Sequence, residues 1–111
     1  MSYGSTPYLK EDLDEVAVVV RPGAGHLHGV VAYNASASWV FLQVFDHAAP
    51  TVGTTKPVLV LPIPPTGAMD HVPATAIQFS TAISIACTAT ATGAGAPAAP
   101  PAALSLQYSG G

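Results

Sequence analysis

The chain has 111 residues, enough for one domain and too few for two. Half are hydrophobic, but 20 are Ala, 24 are Val, Ile or Leu and only eight are aromatic, which supplies a thin core of β-branched groups rather than a large one. The formal net charge is −3, and charged residues make up 8% of the chain against a usual share of about 25%, so the charge-rich composition of disordered chains is excluded for most of its length.

The three basic residues, Lys10, Arg21 and Lys56, are too few to track a phosphate backbone, so nucleic acid is not expected as a partner. Eleven Pro and ten Gly are scattered along the chain and argue against helices. Cys87 is the only cysteine, which removes the disulfide-stapled secreted class and fits a reducing compartment. Met1–Pro7 has neither the basic start nor the apolar centre of a signal peptide. No apolar run approaches the ~18 residues that span a bilayer, so no membrane partner is expected.

In chain order, residues 1–15 read as an N-terminal arm. Its first part is small, polar and Pro-containing, and Lys10–Glu15 holds five of the nine charges as a solvated approach to the first strand. The folded domain is expected over 16–111. Val16–Val20 is a short β-branched run closed by Arg21-Pro22-Gly23. Residues 25–33 form a second strand, with Leu27, Gly29, Val31 and Tyr33 on one face and His26, His28, Val30 and Ala32 on the other. After the Asn34–Ala37 turn, Ser38–Asp46 is apolar on both faces and reads as a central strand covered on both sides, with Trp39 in the core.

Residues 47–55 are a loop. Lys56–Ile63 is a strand bracketed by Pro57 and Pro62, which mark strand ends or an edge because proline donates no ladder hydrogen bond. Pro64-Pro65-Thr66-Gly67 stops it, and 68–75 reads as irregular. Ala76–Phe79 and Thr81–Thr88 follow, with Ile83, Ile85 and Cys87 on one face. Residues 91–102 are a low-complexity connection too poor in large apolar groups to carry core. Leu104–Tyr108 alternates cleanly as a last, half-buried strand. The prediction is an all-β fold of about seven strands, an antiparallel β-sandwich of jelly-roll or immunoglobulin-like Greek-key order. Low charge leaves strand edges without their usual protection, so much of the surface is expected to be covered by self-association or a larger assembly.

No catalytic constellation emerges, and the chain is not expected to be an enzyme or to hold a cofactor. His26 and His28 share a strand face and are the only pair with metal-ligand spacing, but no Cys pair or Glu-rich helix accompanies them, so no metal is expected. Cys87 lies in an apolar alternation, as a buried structural thiol does. There is no Gly-x-Ser-x-Gly elbow, and Asp46 and Asp70 are the only acids after Glu15 available for a carboxylate pair. Tyr3, Tyr8 and Tyr108 lie near the chain ends and suit an interface.

Three runs carry a family likeness: Leu27-His28-Gly29-Val30-Val31-Ala32-Tyr33-Asn34, Trp39-Val40-Phe41-Leu42-Gln43-Val44-Phe45-Asp46, and Ala49-Pro50-Thr51-Val52-Gly53-Thr54-Thr55-Lys56-Pro57-Val58-Leu59. With Ile83–Thr90, the small-residue loop and the final strand, this layout over roughly residues 25–108 resembles small β-sandwich structural proteins of tailed bacteriophages and prophages. The resemblance implies a non-enzymatic virion protein of the capsid decoration (cement) type, made in the host bacterial cytoplasm. It would sit on the capsid surface as a trimer or dimer, with the major capsid protein and its own copies as partners. A tail, baseplate or carbohydrate-binding host-adhesion module is the alternative, the last using Trp39 or the tyrosines. No functional residue is carried over from the resemblance. Contacts are expected from the arm, at Tyr3, Pro7, Tyr8 and Leu9, and from the 91–102 loop.

Overall fold

The computed structural model describes residues 5–101 and 103–110. Nine strands run in chain order as β1 (Thr6–Lys10), β2 (Val18–Arg21), β3 (Gly25–Asn34), β4 (Val40–Phe45), β5 (Leu59–Ile63), β6 (Gly67–His71), β7 (Ile77–Phe79), β8 (Ile83–Thr88) and β9 (Ala103–Gly110). They form two antiparallel sheets packed face to face. One has the order β1-β9-β3-β6, with β7 also paired to β3. The other has the order β2-β8-β4-β5. Only the β4–β5 and β6–β7 connections stay within one sheet. The antiparallel β-sandwich is as expected, with nine strands instead of about seven.

The two additional strands are β1, inside the segment read as an arm, and β6, inside the segment read as irregular. Both are edge strands. An edge strand buries one face in part, so its sequence lacks a strong apolar alternation: Thr-Pro-Tyr-Leu-Lys and Gly-Ala-Met-Asp-His carry little of it. What defines them is pairing, Thr6–Lys10 against Leu104–Tyr108 and Gly67–His71 against Val30–Asn34.

The core follows the period-2 rule closely in the β2-β8-β4-β5 sheet. Val40, Leu42, Val44, Ile85 and Cys87 point inward and are fully buried. Leu104 and Leu106 meet them from the other sheet, opposite Ala32 and Val30. The acidic stretch after β1 is not wholly solvated. Leu13 is fully buried in the core, and the backbone beside it is tied down, because the Asp14 carbonyl accepts from Cys87 N–H at 2.8 Å.

β3 departs from simple alternation. Its pairing with β9 skips a residue between Leu27 and Gly29, a β-bulge centred on His28. The bulge switches the inward set from Leu27 to Val30, Ala32 and Asn34, which are all buried. Val31 and Tyr33, expected to share a face with Leu27, therefore point outward. Gly25 is required at the start of this strand. A Cβ there would lie 2.6 Å from the Ser109 carbonyl oxygen and 2.8 Å from Arg21 Cδ.

Expectation and structure also differ at the edges. Lys10 on β1, Arg21 on β2 and Asp70 on β6 supply some charge, and other devices protect the edges as well. β1 carries Pro7, β5 carries Pro62 within the strand, β2 is four residues long with a register shift between Val19 and Arg21, and β6 and β7 are short pieces separated by a segment containing Pro73.

Candidate functional site

The two sheets have unlike outer faces. The outward side of β8 and β4 is closed by a roof of two loops. Ser84 Oγ donates to the His47 carbonyl at 2.6 Å, and Gln43 Nε2 donates to Thr88 Oγ1 at 2.7 Å and to the Gly93 carbonyl at 3.0 Å. The loops also touch each other. Gly53, at φ +89°, comes so close to Ala94 that a Cβ would sit 2.8 Å from the alanine methyl. Ser84, Ala86, Thr88, Gln43 and Phe45 are all fully buried beneath this roof. So β4 is covered on both sides, one cover being the opposite sheet and the other these loops.

The outer face of β1-β9-β3-β6 has no such cover. Register places its residues in rows: Leu9, Ser105, Val31 and Asp70 in one, and Ala103, Tyr33 and Ala68 in the next. Leu9, Val31 and Tyr33 are 62%, 46% and 43% exposed. At the other end of the face lie His26, His28, Ser109 and Gln78. Asp70 is the one carboxylate in these rows.

Of the contact residues expected from the arm, Pro7 and Leu9 project from this face. Tyr8 turns inward and packs on the core, because an edge strand paired in register must alternate. Tyr3 lies outside the described residues. Of the 91–102 loop, the described residues 91–101 belong to the roof over the opposite sheet, with Gly93 and Ala94 as contact points. The register places Val31 and Tyr33 on the open face, which sequence alternation alone did not separate from the side of Leu27.

The chemistry-bearing residues are scattered or satisfied. His26 is half-buried, exposed His28 sits at the bulge, and His28 Nε2 shares a 2.8 Å hydrogen bond with Ser109 Oγ. Among the described residues, no group of three or more His, Cys, Asp or Glu side chains converges as a metal site. Burial pushes the Cys87 thiol up to about 12, so it is not a thiolate near neutral pH.

Asp46, just after β4, and Asp70, on β6, belong to opposite sides of the sandwich and do not pair. Asp46 caps the turn after β7. Its Oδ1 accepts from Thr81 N–H at 2.8 Å and Ala82 N–H at 3.2 Å, and its Oδ2 from Ser80 N–H and Oγ at 3.1 and 3.0 Å. Partial burial pushes its pKa up, but the three N–H groups and the hydroxyl outweigh it and hold the carboxyl below its ordinary 3.8. A carboxylate lowered by folding stabilises the fold above its unfolded pKa and loses that contribution as pH falls through the folded value. Asp46→Asn is therefore expected to cost about 1 kcal/mol at neutral pH, a small figure because the group is partly solvated. The gap in thermal midpoint between wild type and variant should close as pH drops below 3.8. A gap that persists at pH 2 would assign the effect to packing instead.

Trp39, expected in the core, is 51% exposed. It precedes β4, beyond the last pair of the β4–β5 ladder, Val40 with Ile63, and has no strand opposite to close over it. The neighbouring Phe41 is half-buried opposite the exposed Pro62, so the three make an apolar ledge beside the roof. An open groove of about 340 Å³ lies between Gly53–Pro57 and Thr92. The chain matches no protein-family model, no curated protein and no solved structure.

Proposed function

We propose that this chain is a non-enzymatic structural protein of a tailed-phage virion, a decoration protein that stabilises the head by bridging capsomers on the capsid surface. The observation that carries this reading is the contrast between the two outer faces. A sandwich roofed on one side presents, on the other, a broad sheet face on which Leu9, Val31 and Tyr33 are exposed and Asp70 is the one carboxylate in their rows. Such a face suits docking on a large, symmetric assembly, where many weak contacts add through repetition. The partners in this reading are the major capsid protein and neighbouring copies of the chain.

The test is the copy number of the protein in purified virions, by quantitative mass spectrometry. Hundreds of copies in a simple ratio to the major capsid protein are expected. A handful would move the protein to the neck, tail or baseplate, and none would end the virion reading.

The exposed ledge at Trp39 favours a second reading, a host-adhesion module that stacks a sugar ring on the indole. Binding on a glycan array that disappears in Trp39→Ala would select it over decoration.

A further inference from the structure

We propose that the groove between Gly53–Pro57 and Thr92 is a binding site for a carboxylate-bearing sugar, such as a uronic acid unit of a glycan. This rests on the host-adhesion reading above for the class of ligand, and adds a charged subsite on the roof.

Three observations converge on it. The first is a shape fixed before any ligand arrives. One wall is a closed turn, in which Thr54 N–H and Thr55 N–H donate to the Thr51 carbonyl at 3.0 and 2.7 Å and Thr51 N–H donates to Thr55 Oγ1 at 2.9 Å. The other wall carries Thr92, beside Gly93, whose N–H donates to Thr90 Oγ1 at 3.1 Å and whose carbonyl accepts from Gln43 at 3.0 Å. Gly53 packs against Ala94 and so joins the two walls. A groove held in this way loses little freedom on binding. Its volume of about 340 Å³ lies at the lower end of the range for small-molecule sites.

The second is charge. Lys10 pairs with Asp12 at 3.0 Å, and Arg21 Nε donates to the Ala24 carbonyl at 2.7 Å. Lys56 lines the groove, is exposed, and forms no salt bridge among the described residues. On a chain of net charge −3, that ammonium makes the groove a place where an anion is held against the overall field.

The third is the rest of the lining. Thr55 spends its hydroxyl on Thr51 N–H, but Thr54 and Thr92 offer theirs, and each can donate and accept as sugar hydroxyls do. Gly53 and the Pro57 ring supply an apolar strip for the C–H face of a sugar ring. A bare anion would leave most of this volume empty, and a neutral sugar would leave the ammonium without a partner.

The test is a heteronuclear NMR titration of the labelled full chain with glucuronate, with glucose, which lacks the carboxylate, and acetate, which lacks the ring, as controls. Glucuronate is expected to bind in the millimolar range and to move the amide signals of Gly53, Thr54, Lys56 and Thr92. Glucose and acetate should each bind about tenfold more weakly, and Lys56→Gln should weaken glucuronate by about tenfold, the worth of one charge-assisted hydrogen bond. Because Lys56 is exposed, the thermal midpoint of Lys56→Gln should match wild type. Lys10→Gln should leave binding intact. No shift at these amides, acetate binding as well as glucuronate (an adventitious anion only), or an unchanged affinity in Lys56→Gln would overturn the site. The loss of array binding in Trp39→Ala is a separate measurement, so adhesion through the indole can stand or fall without this groove.

Discussion

Replacing Gln43 by Glu is expected to lower folding stability by about 3 kcal/mol, although the two side chains have nearly the same shape. Gln43 projects from β4 into the space under the roof and is fully buried there. Its Nε2 donates to Thr88 Oγ1 at 2.7 Å and the Gly93 carbonyl at 3.0 Å, with the Thr90 carbonyl at 3.4 Å. Among the described residues its Oε1 has no hydrogen-bond partner, so the donated bonds carry its contribution. A carboxylate in that place turns acceptor against acceptor. If ionised it lies buried among carbonyl oxygens, and if protonated it has a single hydrogen to share. Gln43→Leu removes the donor without adding charge and should cost less, about 1–3 kcal/mol. Urea unfolding should show midpoints in the order wild type, Leu, Glu at constant slope. Limited proteolysis should cut both variants faster within residues 89–95, because the roof is no longer tied to β4. A Glu variant as stable as wild type would mean that the roof is held by other contacts.

Asn34→Ala is expected to cost about 2–4 kcal/mol, the sum of broken buried hydrogen bonds and a small void. Asn34 stands at the end of β3, where the chain leaves one sheet for the other, and is fully buried. Its Nδ2 donates to the carbonyls of Ser38 at 2.7 Å, Pro64 at 3.1 Å and Ile63 at 3.3 Å. Its Oδ1 accepts from Ser36 N–H at 3.0 Å and Ser36 Oγ at 2.8 Å. The residue thus joins two crossovers, β3 to β4 and β5 to β6, which are also linked by Thr66 N–H to the Ser36 carbonyl at 2.9 Å. Asn34→Asp keeps the Oδ1 partners and loses the Nδ2 donors. Its Oδ2 then faces the three carbonyls, acceptor against acceptor, so it should be no more stable than Asn34→Ala in the same urea titration. An Ala variant within 0.5 kcal/mol of wild type, the usual range for surface changes, would show that the crossovers are held without it.

Both residues were visible in the sequence only as a turn asparagine and a glutamine in an apolar strand. Asn34 has local partners at Ser36 and Ser38, but what ties both residues to the fold are partners 29 to 50 residues away, which no local pattern marks. The candidate face was legible in part. Pro7 and Leu9, expected as contact residues of the arm, are exposed on the outer side of β1. Unbroken alternation through β3 would place Val31 and Tyr33 with Leu27. One bulge at His28 reverses the phase, and bulges arise from how two strands pair rather than from either strand alone. Trp39 is exposed, against expectation, for a related reason. An apolar run locates a strand, but where its partner stops decides which end residue stays exposed.

By itself, the sequence determined the fold class and most of the core. Turn residues at short spacing and β-branched alternation require antiparallel strands, and the inward sets of β4, β8 and β9 follow from the period-2 geometry of any extended chain. Only the tertiary structure decided the phase of β3, the existence of the weakly patterned edge strands β1 and β6, and which sheet is roofed and which is open. The reason is physical. Side-chain alternation is a property of one strand, whereas register, bulges and loop cover are set by hydrogen bonds and packing between segments far apart in the chain.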